Sequence, residues 1–196
     1  IHTTASSHRR CMVIEIMGNK AGWLTLYSGI AGGADVILIP EIPYEIERVA
    51  KVVETRAKAG KSFSILAVAE GAMDKEEAKM KKKEREAKRA ASPQSISQRI
   101  AAQLQELAGV EARAVIPGHI QRGGSPSAYD RVLSTQFGVH AAELIRDGIF
   151  GVSVALVGNT ITHNPLSEIA GVPKLVPPDH QMIQIARNIG ISFGAK

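Results

Sequence analysis

Near residue 120 the chain sets His119 and Arg122 three residues apart, in front of a Gly123-Gly124-Ser125-Pro126 step. Two cation-capable side chains at the mouth of a glycine turn suit an anion. A guanidinium offers a two-pronged donor, and consecutive glycine N–H groups can turn into one concavity. With Ser125 as cap and Pro126 at the first helical position, a following helix would add the partial positive charge of its N-terminus. The same residues also read as a plainly capped helix with a surface arginine, and spacing alone does not separate the two. Three further groups each follow an apolar run: Met17-Gly18-Asn19-Lys20, Pro40-Glu41 and Glu70-Gly71. Carboxylates to accept hydroxyls and cations to face phosphate, gathered on one rim, suit a sugar phosphate. Glu70-Gly71 is read as a strand-end turn, since glycine and polar residues end strands anyway.

Other chemistry is poorly supported. Ser6, Ser7 and His8 are adjacent, with no placed acid, and read as polar loop residues rather than a nucleophile and base. The six histidines lack paired ligand spacing, and the single cysteine, Cys11, cannot supplement them, so zinc is not expected. Cys11 reads as a small core residue, permits no internal disulfide and fits a reducing compartment, hence a cytoplasmic location. Trp23 reads as helix packing. No apolar run approaches the length of a membrane span, and no signal-peptide pattern is seen. The net charge of +5 is concentrated in residues 74–90, which hold eight basic and five acidic residues and read as one solvated helix. Without stacking aromatics or a known module, nucleic acid is not an expected partner.

The elements that must position these residues are legible as five Val/Ile-rich runs, 13–17, 36–40, 64–70, 113–116 and 152–157. They are apolar almost throughout, the pattern of strands covered on both faces. Helical segments at 21–31, 45–59, 74–90, 95–108 and 127–147 alternate with them. The spacing predicts Ser95 as a cap, one apolar face of Ile96, Ile100, Leu104 and Leu107, and Gly109 as a stop. The tail around 176–190 reads as a turn followed by a short amphipathic helix. The fold class is therefore α/β, a doubly wound, mostly parallel sheet with helices on both faces, whose ligands bind at the carboxyl ends of the strands.

The stretches "GHIQRGGSPSAYDRVLSTQFG" (118–138), "MGNKAGWLTLYSGIAGGADVILIPE" (17–41) and "TTASSHRR" (3–10) together resemble the 6-phosphofructokinase family. The order and spacing match over essentially the whole chain, most like the bacterial branch with ATP- and pyrophosphate-dependent members. The resemblance implies phosphoryl transfer to the 1-hydroxyl of fructose 6-phosphate in glycolysis, with Mg2+, by homotetramers or dimers whose substrate sites lie at subunit boundaries. It assigns His119 and Arg122, with Ile120 and Gln121 between them, to the substrate's 6-phosphate and ring. Glu41 matches a carboxylate that accepts sugar hydroxyls, and Met17 and Gly18 begin a triplet beside the sugar. Arg10 and Arg113 match arginines that reach the neighbouring subunit's 6-phosphate. The implied domains are 1–124 for fructose 6-phosphate binding, 125–165 as a crossover onto an N-terminal domain, and 166–196 returning to the substrate domain. Val132, Leu133, Phe137 and Leu144 would then be partly exposed in this chain alone.

Two departures qualify the resemblance. Asn19 stands where the family has an arginine near the transferred phosphoryl group, a loss that costs about 2.7–4 kcal/mol in comparable transition-state sites. The family's donor loops and its aspartate base are not found. The chain, which begins at Ile1, is therefore expected to be a processed product or part of a longer protein, holding the substrate half, with magnesium bound elsewhere. These 196 residues alone are expected to be inactive. The alternative is a non-catalytic regulatory homologue that binds sugar phosphate or partner subunits.

Overall fold

The computed structural model describes residues 1–195; Lys196, the last residue of the expected return segment, lies outside the described residues. The chain divides into two compact units, Ile1–Gln121 with the segment from Leu175 on, and Arg122–Lys174.

The first unit opens with α1 (His2–His8) and β1 (Cys11–Ile16), then α2 (Trp23–Ala31) and β2 (Val36–Leu38). It continues through α3 (Ile46–Lys58), β3 (Ser64–Ala69), α4 (Lys75–Lys79), α5 (Lys82–Ala91), α6 (Ile96–Ala108) and β4 (Ala112–Val115). The four strands form one parallel sheet in the order β2-β3-β1-β4. Alternate residues of each strand feed two cores. On one face Val13, Leu38, Leu66 and Val68 pack with Val49 and Val53 of α3 and Ile100 and Leu104 of α6. On the other, Met12, Ile37, Ile65 and Ala67 pack with Leu26 of α2 and Ala5 of α1. The β1–β2 connection runs one way along the sheet with α2 on one face. The β2–β3 and β3–β4 connections run the other way with α3 and α6 on the opposite face. A constant crossover hand produces that pairing of direction and face. The chain direction reverses between β1 and β3, which places a topological switch point at their carboxyl ends.

Cys11 is a core residue, 3% exposed, and burial with the nearby Asp35 charge pushes its thiol up to about 12. In α6 the Ser95 cap with Gln98 at the third position and the left-handed Gly109 stop are present, and Ile100 and Leu104 are fully buried. Leu107 instead stands 51% exposed, while its neighbour Ala108 is the residue of the last turn that packs on the core.

Three sequence expectations are corrected in kind. Ser6, Ser7 and His8 lie in a helix rather than a loop, closed at Arg9 with φ 53°. The 74–90 segment is broken at Met80-Lys81 into α4 and α5, and Glu77, within α4, is fully buried. The break lets α5 fold back so that Arg89 reaches Glu77 at 2.8 Å, while Arg99 of α6 meets the same carboxylate at 2.7 Å. The 152–157 run is a strand, but not of the parallel sheet, as the second unit shows.

That unit consists of α7 (Ala128–Arg146), β5 (Val152–Val157), β6 (Thr160–Pro165) and the short α8 (Leu166–Ile169). β5 and β6 form an antiparallel hairpin around Gly158-Asn159, with Gly158 at φ 61° as a two-residue turn requires. β6, Thr160-Ile161-Thr162-His163-Asn164-Pro165, has too few apolar residues to announce itself. Leu144 is buried on the inner face of α7, whereas Val132 is 59% exposed and Leu133 and Phe137 are half-buried. The chain then returns to the first unit, where α9 (Gln181–Asn188) buries Ile183 and Ala186 in the second core.

Candidate functional site

Each carboxyl-edge loop of the first unit is fixed by a side chain from another strand end. After β1, the Met17 N–H donates to Gln121 Oε1 at 3.1 Å, and the Gly18 and Asn19 N–H groups donate to Glu70 Oε1 at 3.1 and 2.6 Å. Glu70 stands at the end of β3, directly across the switch point. Gly18 has φ 153° and a Cβ there would lie 2.6 Å from the Ala21 carbonyl; the turn is closed by Ala21 N–H to Gly18 O at 3.1 Å. Asn19 itself sits at φ 53°, a left-handed conformation that asparagine adopts more readily than arginine. Gly71 is required by contact, since a Cβ would lie 2.0 Å from the Asn19 carbonyl oxygen. The β1 loop and the β3 turn are thus one interlocked unit.

Glu41, after β2, accepts from the Gly22 N–H and from the Val176 N–H, both at 2.9 Å through Oε1. Its Oε2 is buried and has no protein partner among the described residues. Glu41 therefore anchors the start of α2 and the point where the chain re-enters the first unit, and keeps one oxygen free.

Gln121 is fully engaged. Its Oε1 holds Met17, and its Nε2 donates to Gly118 O at 3.2 Å and Glu15 O at 3.5 Å, docking the 3-10 turn Gly118–Arg122 onto β1. That turn carries His119 and Ile120 outward, with Ile120 81% exposed and His119 exposed without a protein partner among the described residues. Arg122 is exposed and opens the second unit. The helix expected to start at Ser125 starts two residues later: Ser127 is the cap, and its hydroxyl and N–H pair with Asp130 at 2.8 Å. The Ser127 hydrogen bonds hold the Asp130 carboxyl below its usual range. This carboxylate already occupies the positive end of α7, so the helix N-terminus is not an open anion site.

The two remaining candidates stand at the other end of the sheet. Arg10 precedes β1, and Arg113 of β4 is in register with Met12. At a rise of about 3.3 Å per residue, Arg10 is about 23 Å along the strand from Met17. Both arginines bind Glu111 Oε1 at 2.9 Å, and these pairs, Arg10 foremost, hold its carboxyl below the usual range. The sequence candidates thus fall into a carboxyl-edge group, Met17, Gly18, Asn19, Glu41, His119 and Gln121, and an amino-edge pair. What the sequence reading missed is Glu70. Its signal was present: a carboxylate directly after a wholly buried strand, followed by a glycine.

Among the described residues no group of three or more His, Cys, Asp or Glu is gathered closely enough to hold a metal ion. No helix among them is long and apolar enough to cross a membrane.

Comparison with known proteins gives these positions a context. The family profile described as Phosphofructokinase matches residues 1–145. A protein of Spirochaeta thermophila named ATP-dependent 6-phosphofructokinase is 49% identical over 195 residues, 99% of this chain and 53% of the relative. One of Amycolatopsis methanolica, named pyrophosphate–fructose 6-phosphate 1-phosphotransferase, is 45% identical over 181 residues, 91% of this chain and 52% of that one. Among solved structures, phosphofructokinase from Saccharomyces cerevisiae superposes with a TM-score of 0.68 at 33% identity, covering 85% of this chain and 21% of that one. The chain spans about half the length of the curated relatives it matches.

Proposed function

The chain belongs to the phosphofructokinase family, and from that premise we propose that it is the acceptor-binding part of a cytoplasmic 6-phosphofructokinase. In this reading the oxygen of the 1-hydroxyl of fructose 6-phosphate bonds to the transferred phosphorus. The bond to the leaving group of ATP or pyrophosphate breaks, and the hydroxyl proton passes to a base outside these residues. Mg2+, held by the rest of the enzyme, would neutralise charge on the donor. Catalysis of this kind rests on positioning.

The observation that carries the reading is the rigid rim at the switch point. Gln121 and Glu70 fix the N–H groups of Met17, Gly18 and Asn19, and the same Gln121 docks the turn that presents His119. His119 would face the 6-phosphate, with Ile120 beside the ring. Glu41, through its unpartnered Oε2, would accept a sugar hydroxyl. Arg10 and Arg113 lie too far along β1 and β4 to serve this rim. They are assigned to the 6-phosphate site of a neighbouring copy in a homotetramer or dimer.

Calorimetric titration of this chain with fructose 6-phosphate tests the reading. Binding that is weakened about tenfold or more by His119→Ala is expected, as for loss of a charge-assisted contact to phosphate. Unaltered binding in that variant would overturn the assignment. Kinase assays with ATP and pyrophosphate in parallel are expected to show no turnover by these residues alone. A second reading, a non-catalytic regulatory homologue, is favoured by Asn19. Turnover by the full-length enzyme with either donor would exclude it.

A further inference from the structure

At the amino edge of the sheet, within the first unit, a carboxylate sits between the two arginines that the substrate reading needs free. Cys11 is in register with Ala112, and the Cys11 N–H donates to the Glu111 carbonyl at 2.9 Å, so Arg10 lies across the ladder from Glu111. Side chains two apart on an extended chain share a face, which sets Arg113 beside Glu111 along the same segment. The result is a cluster of three. Nη2 of Arg10 and Nη2 of Arg113 each lie 2.9 Å from one oxygen, Glu111 Oε1.

Two guanidiniums on one carboxylate leave one positive charge in excess. A phosphate oxygen accepts from arginine at about 2.7–2.9 Å, so Glu111 Oε1 holds a place that one such oxygen could take. The pairing is weak. Side chains of Arg113 and Glu111 are 60% and 43% exposed, and ion pairs so open to water contribute little. Arg10 Nε is buried without a protein partner among the described residues, so this pose leaves that side chain incompletely satisfied. Against one shared carboxylate oxygen, a phosphate monoester brings a charge of about −2 and three acceptor oxygens.

We propose that Glu111 is a built-in competitor for this arginine pair: it holds Arg10 and Arg113 together in the chain by itself and yields them when a phosphate group arrives. Its tie to the substrate rests on the reading above, which assigns the two arginines to a neighbouring copy's 6-phosphate. The competition itself does not, because it is read with phosphate alone. Glu111 thus raises the phosphate concentration needed to engage the pair, and does so by its charge. A purely structural prop would act in the opposite sense. Its removal would let two like-charged side chains drift apart and would weaken phosphate binding, whereas removal of a competitor strengthens it.

The test titrates inorganic phosphate into this chain near neutral pH at constant ionic strength, followed through the NMR signals of the arginine side-chain N–H groups. Glu111→Gln should bind phosphate about three- to tenfold more tightly than the unaltered chain, the size expected for removing one charge a few ångströms from a dianion in screened water. Glu111→Ala should show the gain as well, so the result does not depend on one replacement folding well. Glu111→Asp, which keeps the charge, should not show it. Adding Arg113→Ala to Glu111→Gln should abolish the gain, and adding His119→Ala should not. Equal or weaker binding in Glu111→Gln and Glu111→Ala overturns the proposal, as does a gain that survives Arg113→Ala. In the full-length enzyme Glu111→Gln should lower the KM for fructose 6-phosphate severalfold; a gain with phosphate but an unchanged KM overturns the tie to the substrate. Failure of the substrate reading shows separately, in the His119→Ala titration with fructose 6-phosphate.

Discussion

Replacing Glu77 by glutamine should be among the most damaging single changes in the first unit. The carboxylate is fully buried, and it neutralises Arg89 and Arg99 at 2.8 and 2.7 Å. A glutamine fits the space but carries no charge, so both guanidiniums are left without a counter-ion in a partly buried place. Removing one partner of such a cluster costs about 3–5 kcal/mol. The same carboxylate gives an acid signature. Burial alone would raise its pKa from the ordinary 4.5, but the hydrogen bonds and charges of Arg99 and Arg89 outweigh it and bring it down to about 2. The folded value lies below the unfolded one, so the unfolded chain takes up the proton first. The stabilisation is complete above about pH 5 and is lost as the pH falls towards 2, by about 3 kcal/mol in all. Urea unfolding followed through Trp23, the only tryptophan and a residue of α2, reports on this unit. Glu77→Gln should lower the midpoint at pH 7 by about 1–2 M, for a slope of about 2–3 kcal/mol/M. It should also flatten the fall in stability between pH 4.5 and 2. A midpoint change under about 0.3 M, or an acid profile identical to that of the unaltered chain, would refute the idea that this cluster holds α5 and α6 together.

Gly22→Ala would put a Cβ 2.4 Å from that of Ile39 and 2.7 Å from Glu41 Oε2. A loss of about 1–3 kcal/mol is expected in the same urea assay, with weakened fructose 6-phosphate binding as Glu41 leaves Gly22 and Val176. Asn19→Arg places an arginine at φ 53° and should cost about 1 kcal/mol, whereas Asn19→Gly should be nearly neutral. Equal midpoints for the two would show that the turn relaxes. Phe150, Ile145 and Val132 of the second unit are 73%, 64% and 59% exposed, and such surface drives association. Sedimentation should show self-association of this chain with rising concentration, reduced in Phe150→Asp.

How much of this was legible in the sequence follows from what each signal measures. The parallel sheet was readable because Val36–Leu38 and Ser64–Ala69 are buried on both faces, and an unbroken apolar run is the local trace of that burial. The same signal misplaced Val152–Val157. A run records that a segment is apolar, not which strand it pairs with, and its partner Thr160–Pro165 is mostly polar. The break at Met80 carries no glycine or proline. It arises because one glutamate in a charged run is drawn into the interior by two arginines, one of them 22 residues away. Composition counted that run as solvated, since burial of a charge depends on partners that only the fold supplies. The rim shows the same division. Glycine turns after strands located Met17–Asn19 and the 118–122 turn, but hydrogen bonds across 52 and 104 residues decide which side chains hold that rim. That is why Gln121, read as a ligand contact, has every amide group engaged by the protein. It is also why Glu70, read as a turn, fixes the loop on which the proposed substrate site depends.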